Sequence, residues 1–103
     1  MATLRQFVGE VLRARRVAQG LTLRDVSARA RVSLGYISEV ERGQKEASSE
    51  LLAALCAALD VPMSKVLVDV SSLLEIEEGA DLAIARLSSI GLSERGGVSV
   101  SAA

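Results

Sequence analysis

Residues 20–43 read GLTLRDVSARARVSLGYISEVERG, a pattern that predicts two short helices joined by a tight turn. Thr22 can cap the first helix, with Asp25 three residues later as a weaker form of the capping box. Ser33 can cap the second helix, and Gly43 can end it near Arg42. Two short helices joined by three or four residues form a helix-turn-helix unit.

Such a unit places physical demands on the residues at its crossing. The helices cross steeply at close range, so a small side chain is needed where they touch, and Ser27 is small enough. The turn requires a residue that tolerates a positive φ angle, and Val32 then follows as an apolar plug. Ile37 and Val40 face the core, so the opposite face of the second helix remains free.

Three further helices complete the predicted domain. Residues 4–19 carry apolar side chains at three- and four-residue steps. Ser48 or Ser49 caps a fourth helix, SELLAALCAALD, and Pro62 suits the first turn of a fifth. Cys56 stands in the apolar stripe of the fourth helix, which indicates a small core residue rather than a redox group.

The C-terminal part of the chain has a different pattern. Ser72 and Glu75 form a further capping box, Gly79 interrupts, and residues 80–90 place apolar side chains on one face of a short helix. Such a helix is marginal alone and needs a surface to pack on. We therefore expect a helical extension over residues 69–91.

The last part of the chain, residues 92–103, is rich in glycine and serine, and we expect it to be a flexible tail.

Composition argues against most catalytic chemistry. The chain has 103 residues, half of them apolar, which suffices for one small core, and its single proline and few aromatic residues favour packed helices. It has no histidine, and a lone cysteine can form neither an internal disulfide nor a cluster. We expect no enzyme, no cofactor and no metal. No stretch reaches the roughly 20 apolar residues of a membrane span, which predicts a cytoplasmic protein.

Charge is divided unevenly along the chain. Residues 1–45 contain nine Lys or Arg against four Asp or Glu, whereas residues 46–103 contain three basic and nine acidic residues. A basic half beside an acidic half predicts a polyanionic partner for the first half alone. The alternative is a solvated helical surface whose charge happens to be uneven.

The pattern of residues 20–43 and its flanks resembles the helix-turn-helix of the Xre family, the lambda-repressor-like DNA-binding domains. The positions that carry the resemblance are Val8, Leu12, Arg13, Arg16, Gly20, Leu21, Thr22, Val26, Ser27, Val32, Ser33, Tyr36, Ile37, Ser38, Glu41, Arg42, Gly43, Ser48, Leu52, Leu55, Leu59, Val61 and Leu67. The resemblance implies an all-α fold, with a five-helix DNA-binding domain over residues 4–68.

Two positions depart from the family pattern. The family usually has glycine in the turn where this chain has Arg31, and arginine at positive φ costs about 1 kcal/mol. The loop after the third helix usually carries proline where Ala47 stands, which leaves that loop less rigid.

The resemblance also implies which residues meet double-stranded DNA. The third helix would lie in the major groove, and its base-reading residues would be Ser33, Leu34, Gly35, Tyr36 and Glu39. The phosphate-binding residues would be Thr22, Arg24, Ser38, Arg42, Gln44 and Lys45. Arg16 and Glu41 would form an internal salt bridge. Partial burial is the alternative for Tyr36, and ordinary exposure is the alternative for Leu34.

One domain of this size touches one half-site, and helix-turn-helix proteins usually act as two-fold dimers. The predicted surface of a homodimer consists of Val66, Leu67, Val70, Leu73, Leu74, Ile84, Leu87 and Ile90. The alternative is that these residues fold back on their own domain.

The stretch SSELLAALCAALDVP and the tail extend the resemblance to regulators of Clp protease genes within this family. This implies an activator of proteolysis and stress-response genes that acts with RNA polymerase. The final Ala102 and Ala103 resemble tails read by Clp-type unfoldases, so we expect degradation through this end by a Clp protease. Two other classes remain open: an antitoxin whose C-terminal segment binds a toxin and which represses its own operon, and a protein-interaction module without DNA binding.

Overall fold

The computed structural model describes residues 2–90, with side chains as far as residue 88. Over this range the chain forms five helices and no strand. They are α1 (Leu4–Ala18), α2 (Leu23–Ala30), α3 (Leu34–Glu41), α4 (Ser49–Ala58) and α5 (Met63–Ile90). The all-α, five-helix fold predicted from the sequence is confirmed.

Hydroxyl side chains cap the first four helices, at Thr3, Thr22, Ser33 and Ser48. At the start of α2 the Thr22 N–H donates to Asp25 Oδ2 at 2.9 Å, and the Asp25 N–H donates to Thr22 Oγ1 at 3.0 Å. The predicted capping box is therefore complete. The hydrogen bond from the Thr22 backbone, and secondarily one with its side chain, lowers the pKa of the Asp25 carboxyl.

Each of the first four helices is followed by a residue in the left-handed backbone conformation. Glycine fills this position after α1 and α3, with φ of 70° at Gly20 and 74° at Gly43. Arg31 has φ 58° after α2, and Asp60 has φ 52° after α4. The positive φ expected at Arg31 is confirmed. A side chain in this conformation is strained, by about 1 kcal/mol.

The buried core draws on all five helices. Its members are Phe7, Val11, Leu12, Val26, Ile37, Val40, Leu55, Cys56, Ala58, Leu59, Val66 and Val70. The most extensive helix contacts around this cluster are those of α1 with α3 and α5, of α2 with α3 and α4, and of α4 with α5. Cys56 is a core residue, and burial raises the pKa of its thiol.

α5 is a single helix of 28 residues, so the predicted helix start at Ser72, the interruption at Gly79 and the separate helix over residues 80–90 are wrong. Ser72 caps nothing: its hydroxyl donates to the Val68 carbonyl oxygen one turn earlier, at 3.1 Å. Gly79 lies inside the helix. A glycine there costs about 1 kcal/mol relative to alanine but removes no backbone hydrogen bond, so the helix continues.

The first half of α5 packs against the domain, whereas its second half extends beyond it. Val66 and Val70 are 0% and 4% exposed. By contrast, each residue from 78 to 88 is exposed. The prediction that Val66 and Val70 belong to a dimer surface is therefore wrong: one side of the helix fills this domain's own core.

Two polar contacts fix the direction in which α5 leaves the domain. The Arg15 guanidinium donates from Nε and Nη2 to Asp69 Oδ2, at 2.9 and 2.7 Å. Further along the helix, the Ala2 N–H donates to Glu77 Oε2 at 2.8 Å. Both contacts join the N-terminal part of the chain to α5.

Among residues 2–90, no single helix has the length and apolar character needed to cross a membrane. α4 and α5 pass that test only when taken together, and the pair is bent by 105° at the break between them. The same part of the chain holds no group of three or more His, Cys, Asp or Glu side chains placed to bind a metal ion.

Candidate nucleic-acid interface

α3 is held to the domain by one face and displays the other. Ile37 and Val40 are almost fully buried on the inner face. Before α3, the Ser27 hydroxyl donates to the Val32 carbonyl oxygen at 2.5 Å, which fixes the turn that leads into the helix. The outer face is consequently presented on a rigid support, as recognition of another surface requires.

Three predicted base-reading residues, Ser33, Leu34 and Gly35, form the exposed start of α3. The Ser33 hydroxyl accepts the N–H of Tyr36 at 3.1 Å, so its oxygen already serves as the helix cap. Leu34 is 37% exposed, and a Cβ atom added at Gly35 would meet no heavy atom within 4 Å. This end of the helix is open to close approach by a large ligand.

The other two candidates, Tyr36 and Glu39, are half-buried and face the loop of residues 42–48, here called the α3–α4 loop. The Tyr36 hydroxyl donates to the Glu46 carbonyl oxygen at 2.9 Å. Lys45 Nζ lies 5.9 Å from the centre of the Tyr36 ring and 3.9 Å from Glu39 Oε1. These contacts bring α3 and the loop together.

The predicted phosphate-binding residues fall into two groups. Ser38, Arg42 and Gln44 are joined, because Arg42 donates from Nη1 to the Ser38 hydroxyl and from Nη2 to Gln44 Oε1 at 3.2 Å. Lys45 lies on the same loop but contacts Tyr36 and Glu39 instead.

Thr22 and Arg24 form the second group, at the start of α2, where both are exposed. Within residues 2–88, no hydrogen bond or ion pair joins this group to the first.

Arg16 and Glu41 are brought together in a two-point salt bridge between α1 and the end of α3. Arg16 Nε lies 2.8 Å from Glu41 Oε2, and Nη2 lies 3.0 Å from Oε1. The third guanidinium nitrogen donates to the Leu21 carbonyl oxygen at 2.9 Å. The side chains are only 13% and 6% exposed, and the hydrogen bond to Glu41 raises the pKa of Arg16. Both charged groups are therefore paired with partners inside the domain.

Sequence reasoning missed Arg5 and Gln6, which support the α3–α4 loop from α1. Arg5 Nε donates to the Gly43 carbonyl oxygen at 3.1 Å, and Arg5 Nη1 lies 4.0 Å from Glu46 Oε2. A Cβ atom at Gly43 would lie 2.6 Å from Gln6 Cγ, so the loop rests directly on α1. The main partner of Arg5 is a backbone atom 38 residues away, which leaves no signal in the local sequence.

The remaining predicted residues differ in their surroundings. Leu67, Ile84 and Leu87 are exposed, whereas Leu73 and Leu74 are partly buried against the core. The side chain of Ile90 and the whole of Ala102 and Ala103 lie outside the described residues.

A family model described as helix-turn-helix matches residues 12–66, more than half of the chain. Together with the five-helix fold, this match places the chain in the Xre-type helix-turn-helix family, to which it belongs. Within the family, it is similar to the transcriptional regulator ClgR of Mycobacterium tuberculosis, with 63% identity over 68 residues. That alignment covers 66% of this chain and 61% of ClgR, so the chain matches less than two thirds of its relative's length.

Two solved structures are also similar to this chain. The crystal structure of the clp gene regulator ClgR from Corynebacterium glutamicum has a TM-score of 0.73 and 40% identity, and the match covers 88% of this chain and 98% of that one. The restriction-modification controller protein C.AhdI from Aeromonas hydrophila has a TM-score of 0.59 and 29% identity, over 60% of this chain and 94% of that one.

Proposed function

We propose that this protein is a sequence-specific DNA-binding transcriptional regulator that places α3 in the major groove. The observation that carries the proposal is the exposed start of α3 on a helix whose other face is locked into the core. Leu34 offers an apolar surface suited to a thymine methyl group, Gly35 leaves room for close approach, and Ser33 stands beside them. Glu39, one turn further along, would accept a hydrogen bond from a cytosine amino group.

We infer that the phosphate-binding residues are Thr22, Arg24, Ser38, Arg42, Gln44 and Lys45. The Ser38–Arg42–Gln44 hydrogen bonds support this role, because they hold a guanidinium beside the exposed face of α3. Contacts of this kind position a protein on the duplex without reading its sequence. Each phosphate contact that is lost should lower the slope of log affinity against log salt by about 0.9.

We further propose that the protein is a homodimer joined through the exposed side of α5. Ile84 and Leu87 are 64% and 60% exposed on a helix that extends away from its own domain. A second copy would cover them and would place two α3 helices on a two-fold DNA site. Leu67, Leu73, Leu74 and Ile90 complete this proposed surface.

The dimer is tested by analytical ultracentrifugation of the Ile84→Glu and Leu87→Glu variants. We expect monomers that bind a two-fold site more weakly than the parent protein. Ala85→Glu is the matched control, since it adds the same charge on another face of the same turn. Unchanged mass in both apolar-to-acidic variants would refute this interface, and a co-purifying second protein would favour the antitoxin class.

We propose that the genes regulated encode Clp protease and stress-response functions, that the protein activates them together with RNA polymerase, and that it works in the cytoplasm. The support is its similarity to ClgR, a protein named in one solved structure as a clp gene regulator. We also propose that a Clp protease degrades the protein through Ala102 and Ala103. Appending two aspartates after Ala103 should slow its turnover, and an unchanged rate would argue against this end as a signal.

The experiment that tests the main proposal is selection of genomic fragments by the purified protein, followed by footprinting at near-physiological salt. We expect a two-fold motif with half-sites one helical turn apart, upstream of protease or chaperone genes. The Leu34→Asp variant places a carboxylate on the exposed start of α3 without touching the core, and it should lose this enrichment. If the parent protein enriches no motif over random DNA, sequence-specific binding is refuted.

A further inference from the structure

The α3–α4 loop contains no proline, the residue that most restricts backbone rotation. Its shape therefore depends on contacts with neighbouring helices. Tyr36 of α3 holds the loop near one end, through the hydroxyl group that donates to the Glu46 carbonyl oxygen at 2.9 Å. Arg5 of α1 holds the other end, through Gly43.

The ring of Tyr36 also lies beside Lys45, one of the two cations of the loop. Lys45 Nζ lies 5.9 Å from the ring centre, a distance at which the ring face attracts an ammonium group. The Lys45 side chain is still 57% exposed, so its charge remains available to a partner. Tyr36 thus contacts both the backbone of Glu46 and the side chain of Lys45.

We propose that Tyr36 is a positioning residue for phosphate binding, which orders the α3–α4 loop before DNA arrives and acts through Lys45 rather than by reading a base. The inference rests on the proposed DNA-binding function. Ordering a loop on binding lowers affinity, so a loop already held in place binds more tightly. The Tyr36 hydroxyl already has a partner and the residue is half-buried, which fits a support better than a base contact.

The first test compares Tyr36→Phe with Ser72→Ala. Both remove a hydroxyl that donates to a backbone carbonyl, but Ser72 lies on α5 away from the loop. We expect Tyr36→Phe to weaken binding to the selected site and to unrelated DNA alike, by roughly fivefold, as loss of one hydrogen bond allows. Base preference, measured with single-base variants of the site, should not change. Ser72→Ala should bind DNA as the parent protein does.

The second test is a double-mutant cycle with Lys45→Gln. If Tyr36 acts through Lys45, Tyr36→Phe should weaken DNA binding less in the Lys45→Gln background than in the parent protein. Strictly additive effects would overturn the proposal. So would a Tyr36→Phe variant whose preference changes at a single base position, because that result assigns the tyrosine to base reading.

A third measurement needs no DNA. Backbone amide exchange over residues 44–48 should be roughly fivefold faster or more in Tyr36→Phe, with no change elsewhere in the domain. Unchanged exchange in this loop would overturn the inference. Absence of a selected motif with the parent protein would instead count against the proposed function, so the two failures are distinguishable.

Discussion

Gly9 of α1 lies so close to α3 that a Cβ atom built on it would be 2.3 Å from the Val40 carbonyl oxygen. The Glu41 carbonyl oxygen would be 2.6 Å away. Both neighbours are backbone atoms, which cannot rotate aside as the end of a side chain can. Gly9 therefore sets the distance between the two helices, and through it the support on which α3 stands.

Replacement of Gly9 by alanine should lower the free energy of unfolding by about 3 kcal/mol, because α1 and α3 must separate to admit the methyl group. Urea unfolding followed by circular dichroism measures this change. The matched control is Gly79→Ala within α5, where the new Cβ would meet no heavy atom within 4 Å. That variant should be more stable by up to about 1 kcal/mol, and a Gly9→Ala protein of parental stability would show that the close approach is not needed.

Removal of one partner of the Arg16–Glu41 salt bridge should destabilise the domain by roughly 3 kcal/mol, since the remaining charge is left poorly solvated. Arg16→Ala also frees the Leu21 carbonyl oxygen. The same unfolding assay applies. Glu46→Gln is the control: its ion pair with Arg5 is 4.0 Å long and largely exposed, so the change should stay within about 0.5 kcal/mol. Equal effects in the two pairs would contradict the structural role of Arg16.

Arg31→Gly should stabilise the domain by about 1 kcal/mol, because glycine adopts the φ of 58° found there without strain. Thermal unfolding should show a higher midpoint. The control is Arg13→Gly, which shows whether replacing an exposed arginine by glycine raises the unfolding midpoint without a change in backbone strain. Arg13 lies inside α1, where glycine should instead destabilise by about 1 kcal/mol. The same sign for both variants would rule out backbone strain as the cause.

Stability should fall in acid partly through Asp25, whose pKa is lowered in the folded state by the hydrogen bonds with Thr22. Because the pKa of Asp25 is lower in the folded than in the unfolded protein, its carboxylate stabilises the folded state fully above the unfolded pKa of about 3.9. This stabilisation is lost as the pH falls through the lower pKa of the folded protein. Asp25→Asn should therefore show a flatter loss of stability between about pH 5 and pH 2. Urea unfolding at a series of pH values measures the slope, and parallel curves would exclude Asp25 as a contributor.

Local chemistry allowed the first four helices to be predicted within a residue or two. The Thr22 capping box, the Ser33 cap and the glycines after α1 and α3 act over three or four residues, so the sequence displays them directly. α5 was mispredicted for the same reason. Ser72 resembles a helix start signal and Gly79 a stop signal, but neither removes a backbone hydrogen bond from the helix.

Surfaces were harder to predict than helices. An apolar stripe has the same spacing whether it meets its own domain or another molecule, so periodicity could not separate Val66 and Val70 from Ile84. The contacts of Arg5 with Gly43 and of Tyr36 with Glu46 end on backbone carbonyls 38 and 10 residues along the chain. Their partners are set by the packing of helices, which no short stretch of sequence contains.

Because α5 is one unbroken helix, a change in its tilt near the domain would displace its far end. The Ala2–Glu77 hydrogen bond holds α5 near its middle, and the helix rises about 1.5 Å per residue, so the axis runs about 17 Å from Glu77 to Ser88. A tilt of about 5° in this outer part would displace its far end by about 1.5 Å. A change at the Ala2–Glu77 contact would therefore move a surface that lies well beyond both residues.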